Sequence, residues 1–287
     1  MTLRLSYRPP LAAGPLISFL GDRAIPGVEA TDGSTFRRSL RTEDGHAAVI
    51  ALTPCPTEHE VTLDVTVDEN FRLGDVVHTV RGLLDLDTDP SAIDAVLGAD
   101  PVIRPLVRRT PGIRLPGSAD GFELAVRAIV GQQVSVRAAR TMLGRIAQMY
   151  GTPLDPSAGT VTHLFPTAEQ LAEAPFEGCG LPGGRTETLR RLADLVRIGK
   201  LDLSGASDPA GTLHALGEIR GVGPWTTAYI SMRALRDPDA FPAGDLGVRR
   251  AFEALGLPGT PARILEHAER WRPWRAYAVM HLWNAER

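Results

Sequence analysis

Asp245 is the carboxylate with the most informative surroundings in this chain. The residues that lead to it, 216–250, read LGEIRGVGPWTTAYISMRALRDPDAFPAGDLGVRR. Gly221 and Gly223 flank a single apolar residue, a pattern that lets the backbone turn sharply and leaves its amides uncovered. Pro224 suits the first position of a following helix, because it needs no hydrogen bond there and its φ is already set. The free amides and positive dipole end of that helix make a site for an anion, such as a nucleic-acid phosphate. Asp245 stands just before Leu246-Gly247-Val248, so it reads first as a helix N-cap. The same position suits chemistry. A carboxylate at a helix start is favoured in its ionised form, and a fixed negative charge stabilises a developing cation or orients an attacking water. Trp225, Tyr229 and Trp283 read first as core residues at helical spacing. As the wall of a pocket, they would attract a cationic ligand by up to about 2 kcal/mol.

Leu216, Ile219, Gly221, Val222 and Gly223, followed at a distance by Asp245, resemble the signature of the helix-hairpin-helix DNA glycosylase superfamily. Within it the chain looks like the DNA-3-methyladenine glycosylase II family. The resemblance extends nearly end to end, through YRPP (7–10), RLPG (114–117), AIVGQQVSV (128–136), GVGPWTTAY (221–229) and RWRPWRAYAVMHLW (270–283). It implies a base excision repair enzyme that hydrolyses the N-glycosidic bond of alkylated bases, of the 3-methyladenine and 7-methylguanine type, with Asp245 as its catalytic carboxylate. Relatives that also cut the strand carry Lys at the position of Trp225. A lysine can form a Schiff base and a tryptophan cannot, so the resemblance implies a monofunctional enzyme. Trp225, Tyr229 and Trp283 match the family's base pocket. Leu246 and Asn284 match pocket positions that are aromatic in the best-known relatives, a departure that bears on substrate range.

The resemblance also assigns contacts to double-stranded DNA. Gly221, Val222, Gly223, Thr226 and Arg249 are expected at the phosphates, and Gln132 and Gln133 in the turn that fills the space of a flipped-out nucleotide. Extrusion of the base costs a few kcal/mol; Gln133 would plug the gap. Backbone carbonyls of Gly217, Ile219 and Val222 would hold a structural Na+ or K+, and no cofactor is required. One substrate cleft per chain implies a monomer. Two rival readings stand beside this one: a glycosylase for oxidised or deaminated purines, and a non-catalytic helix-hairpin-helix DNA-binding protein.

The expected fold class is α+β. The resemblance implies that residues 1–88 form a small domain with an antiparallel sheet and helices on one face, and that 89–287 form a mostly helical body of two subdomains with a cleft between them. Extended runs are read at 3–7, 35–40, 47–52 and 61–67; the last, VTLDVTV, alternates as a half-buried strand does. Helical patterns follow at 73–84 and 91–97, and everything after about residue 88 reads as helix and loop. Further helices are placed at 121–130, from Ser135 to about 150, and at 167–174, 185–198, 210–219, 224–235, 246–255, 261–270 and 274–285, with the hairpin motif over 212–235.

Composition is that of an ordinary globular protein: 287 residues, 43% hydrophobic and 23% charged. No run of about 20 apolar residues is present, so no membrane partner is expected. The first residues lack the apolar stretch of a signal peptide, and the cytoplasm, at the nucleoid in a prokaryote, is the expected compartment. Cys55 and Cys179 are the only two cysteines, too few for a four-cysteine zinc or iron–sulfur site. The net charge of −3 argues weakly against nucleic acid, but local clusters matter more. Arg249 and Arg250 form one such cluster, and Arg270, Arg272 and Arg275 another. A solvated face is the commoner meaning of such runs.

Overall fold

The computed structural model describes residues 1–42, 44–67, 72–204 and 208–286. Its first part is built from β1 (Thr2–Ser6), α1 (Ala13–Asp22), β2 (Glu29–Thr31), β3 (Phe36–Arg41), β4 (Ala47–Cys55) and β5 (Glu60–Val67). The strands form one antiparallel sheet in the order β1-β5-β4-β3-β2. The alternation in β5 does what its pattern requires: Val61, Leu63 and Val65 are buried, whereas Asp64 and Thr66 are exposed. Leu63 sits opposite Leu3 on β1 and Leu52 on β4. Leu16, Ile17, Phe19 and Leu20 of α1 are buried in the same core.

Helices α2 (Leu73–Leu84), α3 (Pro90–Leu97), α4 (Arg104–Arg109), α5 (Gly121–Val130) and α6 (Val136–Tyr150) follow. Local chemistry sets their starts: the carboxylate of Asp120 accepts from the amides of Phe122 and Glu123, and Ser135 accepts from Ala138. A hairpin of β6 (Thr152–Ala158) and β7 (Val161–Leu164) comes next, then α7 (Ala168–Ala172), α8 (Gly183–Arg197), α9 (Pro209–Gly217), α10 (Pro224–Arg233), α11 (Leu246–Ala254), α12 (Pro261–Ala268) and α13 (Arg275–Ala285).

The β6–β7 hairpin corrects the expectation of helix and loop alone after residue 88. Pro153, Pro156 and Gly159 break the alternation that marks a strand, and tertiary contacts hold the hairpin instead. The amides of Thr162 and His163 donate to the Gly27 carbonyl at 2.7 and 2.9 Å, and Ser39 Oγ donates to the His163 carbonyl at 2.6 Å. Helix α4 was also unforeseen, because six residues are too few to show a helical period.

Buried side chains form two cores. One joins the sheet and α1–α4 to α11–α13; the other gathers Ile25 and Val28 with α5–α10. Tyr229 packs against both, and the cleft described below lies where they meet. Arg114, 2% exposed, closes the first core. Its guanidinium donates to the carbonyls of Asp85 at 3.0 Å, Thr88 at 2.8 Å, Pro10 at 3.2 Å and Arg8. The YRPP and RLPG segments therefore meet as a structural clasp. Beside it, the Asp85 carboxylate accepts from the Leu115 amide at 3.0 Å and the Tyr277 hydroxyl at 2.8 Å, which anchors α13. Burial pushes the Asp85 carboxyl up from its ordinary value. Both cysteines are free thiols, Cys179 buried and Cys55 half-buried.

Candidate active site

The hairpin turn lies between α9 and α10. Gly221 has φ +94°, and a Cβ there would come within 2.4 Å of Thr188 Oγ1, so both backbone and space demand glycine. That hydroxyl donates to the carbonyls of Arg220 at 2.9 Å and Gly184 at 3.0 Å. Gly223 is the N-cap of α10 with no side chain covering the helix start, and open space faces its Cα. The helix start is thus left uncapped by side chains, while the Val222 amide turns back to the Ile219 carbonyl at 2.9 Å. Gly217, Val222 and Gly223 border a shallow concavity of about 460 Å³ on this outer face.

Asp245 is both cap and site. Its Oδ1 accepts from the Val248 amide at 3.0 Å and from Trp283 Nε1 at 2.8 Å; its Oδ2 accepts from Trp225 Nε1 at 2.8 Å. Gly247 lets α11 pass close to the site, since a Cβ there would lie 3.0 Å from Trp283 Cδ1 and 3.2 Å from Asp245 Oδ1. The two indoles thus converge on one carboxylate from α10 and α13, helices far apart in sequence. Trp225 stacks on Tyr229 with centroids 5.3 Å apart, and Tyr229 meets Trp283 at 6.2 Å.

These groups border a cleft of about 820 Å³. Trp225, Tyr229, Asp245, Leu246 and Trp283 line it, and Leu246 is 56% exposed at its rim. Asn284 is not among the lining residues. Its amide donates to Thr110 Oγ1 at 3.3 Å, and it faces the small space behind Trp283. Two further cleft residues come from the other end of the chain. Phe19 of α1 stacks on Trp283 at 6.0 Å, and the Arg23 guanidinium lies 3.9 Å from the Phe19 ring centroid and 5.9 Å from that of Trp283. No local signal marks them, because their role exists only once α1 lies against α13.

A closed ionic ring underlies the cleft. Arg38 pairs with Glu29 at 3.0 Å and Glu123 at 2.8 Å, while Arg127 pairs with Glu29 at 2.7 Å and with Glu123. Burial alone would raise the Glu123 carboxyl, but Arg38 and Arg127 hold it below its ordinary value. Arg233 completes the floor, donating to the Gly117 carbonyl at 2.9 Å and Tyr229 Oη at 3.1 Å.

The remaining expected contacts are placed unevenly. Gln133 is exposed in the turn after α5, with φ +55°. Gln132 instead reaches inward to the hairpin, donating to the Gly221 carbonyl and to buried Thr226 Oγ1, each at 2.8 Å. Thr226 is thus a brace inside the protein and not part of its outer surface. Arg249 is exposed but its Nε donates to the Gly259 carbonyl at 3.0 Å, whereas Arg250 lines the cleft. Arg275 is paired with Asp239 at 2.8 Å and Arg272 with Glu269 at 2.8 Å, so much of that arginine cluster is neutralised within the fold. The carbonyls of Gly217, Ile219 and Val222 stay on the hairpin, where the Ile219 oxygen accepts the Val222 amide at 2.9 Å and keeps a second lone pair. Among the described residues no three His, Cys, Asp or Glu side chains form a metal-binding group, and no helix is long and apolar enough to cross a membrane.

The arrangement offers a rigid carboxylate beside stacked aromatic rings and a helix start open to an anion. It offers no amine nucleophile. Lys200, the only lysine of the sequence, follows α8 and is not among the cleft residues.

The chain is 42% identical over 285 residues to a Mycobacterium tuberculosis protein described as a probable bifunctional transcriptional activator/DNA repair enzyme AlkA, covering 99% of this chain and 57% of that relative. It therefore spans little more than half of that relative's length. It is 33% identical over 285 residues to DNA-3-methyladenine glycosylase 2 of Escherichia coli, covering 98% of this chain and 96% of the relative. The solved structure of a 3-methyladenine DNA-glycosylase from Archaeoglobus fulgidus shares the fold, with a TM-score of 0.79 at 23% identity over 99% of this chain and 97% of the other. Residues 2–120 match the AlkA N-terminal domain and 126–276 the HhH-GPD superfamily base excision DNA repair proteins, so the chain belongs to the HhH-GPD superfamily.

Proposed function

We propose that this protein is a monofunctional DNA glycosylase that releases alkylated bases, of the 3-methyladenine and 7-methylguanine type, from double-stranded DNA in base excision repair. The observation that carries this reading is Asp245, gripped by Trp225, Trp283 and the Val248 amide at the edge of an aromatic cleft. The amides at the uncapped start of α10 bind a phosphate, and the target nucleotide turns into the cleft. A purine alkylated at N3 or N7 already carries positive charge, so it leaves with the electron pair of the glycosidic bond. Positive charge then develops on the sugar at C1′, where the fixed carboxylate stabilises it. Water attacks C1′ and loses its proton to solvent.

The three donors decide how Asp245 acts. An ionised carboxylate has about four acceptor sites, and three are occupied by the two indoles and the amide. The one left on Oδ2 suffices to orient a water. Asp245 works mainly as a fixed charge and only secondarily as a proton acceptor. The indoles hold that charge in place before the substrate arrives, which is the preorganisation that gives electrostatic catalysis its strength.

With the sole lysine outside the cleft, no Schiff base forms and the strand is left intact. The hairpin carbonyls of Gly217, Ile219 and Val222 would supply oxygen ligands to a Na+ or K+ ion, and such an ion would strengthen phosphate binding there. No other cofactor enters the reaction. The enzyme acts as a monomer on DNA in the cytoplasm; the cleft between the two cores supports one substrate per chain. The test is chromatography of free bases released from methylated duplex DNA by the wild type and by Asp245→Asn. Release of methylated purines by the wild type alone supports the reading; no release from bound methylated DNA refutes it.

A further inference from the structure

The turn between α5 and α6 has little beneath it. Residues 133–138 are all exposed, Gln133 carries φ +55°, and Val134 at the rim of the cleft is 37% exposed. Left-handed backbone at a residue other than glycine persists only where its surroundings hold it. Here the hold comes from one side of the turn. Gln132 Nε2 donates to the Gly221 carbonyl and to Thr226 Oγ1, both at 2.8 Å. A carbonyl can only accept, so the Gly221 oxygen fixes which end of the amide faces the hairpin. From α8, Arg185 Nη2 donates to the Gln132 carbonyl at 2.6 Å. The same helix supplies Thr188, whose hydroxyl donates to the neighbouring hairpin carbonyl, that of Arg220, at 2.9 Å.

We propose that Gln132 is a positioning residue that locks the exposed Gln133 turn to the hairpin, so that anchoring a phosphate at Gly221–Gly223 also presents Gln133 and Val134 to the base stack. This rests on the glycosylase reading and deepens it. Gln132 does not touch DNA; it transmits position from the anchor to the inserting turn. The geometry gives three bodies in one rigid unit: α8 through Arg185 and Thr188, the hairpin through Gly221 and Thr226, and the turn through Gln132. If the clamp is broken, the hairpin still binds phosphate, but the turn no longer meets the stack at a fixed distance. Binding and base extrusion should then come apart.

The experiment uses duplex DNA with 2-aminopurine beside the target position, whose emission rises when stacking is lost. Wild type should raise the emission on binding. Gln132→Met, similar in size but without the amide, should lose most of that rise while its affinity stays within about threefold and keeps the same salt dependence. Thr226→Val should behave likewise and Thr226→Ser, which keeps the acceptor, should restore the signal; this pair tests the same clamp if Gln132→Met fails to fold. In base release from methylated DNA, the ratio of duplex to single-strand rates should fall at least tenfold in Gln132→Met, because a single strand needs no inserted turn. Wild-type emission and an unchanged ratio in Gln132→Met would overturn the proposal, as would a parallel loss of binding and emission. Base release by the wild type tests the glycosylase reading by itself, and the emission signal requires no bond cleavage, so the two failures are distinguishable.

Discussion

Substitution of Asp245 by Asn looks like a clean removal of charge, but the structure shows two separable effects. Asn can keep its oxygen at the Oδ1 position, accepting from Val248 and Trp283. Its NH2 group then faces Trp225 Nε1, at a site where donor and acceptor are now 2.8 Å apart. The opposite orientation sets the NH2 group against two donors and is worse. No rotamer satisfies all three partners. The lost charge is worth about 4 kcal/mol against a cationic centre about 4 Å away at an effective dielectric of 20, or about 10³-fold in rate. The displaced, half-buried indole N–H costs about 1 kcal/mol of stability. Trp225→Phe removes the conflicting donor, so Asp245→Asn should destabilise that background by about 1 kcal/mol less than it destabilises the wild type. Single-turnover release of 7-methylguanine reads the charge, and urea unfolding reads the mismatch. The expected result is a rate about 10³-fold lower in Asp245→Asn and still low in the double variant, with undiminished DNA affinity. A rate within tenfold of wild type would refute the electrostatic role, and additive stabilities would refute the donor conflict.

Arg127→Met should lower unfolding free energy by about 3–5 kcal/mol in urea titration, because it leaves Glu29 and Glu123 with Arg38 as their only remaining ring partner. Gly221→Ala should weaken binding to undamaged duplex and lower stability by about 2–4 kcal/mol: φ +94° strains any side chain, and Thr188 must leave its two carbonyls. His281 is buried with both ring nitrogens unpartnered, Asp94 Oδ1 being 3.9 Å away, and burial followed by Arg109 pushes its pKa down to about 4. The unfolded chain takes up that proton near pH 6.5 and the folded chain only near 4, so the wild type should lose about 3 kcal/mol relative to His281→Leu as pH falls between those values; parallel stability profiles would contradict this. Borohydride added during turnover should trap no protein–DNA adduct, and abundant trapping would overturn the assignment of hydrolysis without strand cleavage.

Much of the architecture was legible because short-range rules sufficed for it. The alternation that begins at Val61, the Ser135 and Asp245 caps and the Gly221–Pro224 turn each depend on a few consecutive residues, and each formed as read. The β6–β7 hairpin was not legible, because its prolines hide the alternation and its stability lies in bonds to Gly27 and Ser39. Gln132 and Thr226 were read toward DNA and turned toward each other, since a polar residue at a helix junction gives no sign of its partner. Asn284 was read into the pocket from its place beside Trp283, but consecutive helical residues point in directions about 100° apart, and it faces Thr110.

By itself the sequence determined which backbone stretches turn, cap and alternate, and which residue types were available for chemistry: an Asp at a helix start, tryptophans in place of a lysine, and a glycine-framed anion site. Such features are local, since a glycine's φ and a cap's hydrogen bond are settled within a few residues. Only the tertiary structure decided that two indoles on different helices, Trp225 and Trp283, would donate to one carboxylate. It also decided that Phe19 and Arg23 would join them from α1. Those contacts require α10 to close against α11 and α13 and α1 to pack on α13, and that closure comes from burying apolar surface, which no spacing of residues along the chain records.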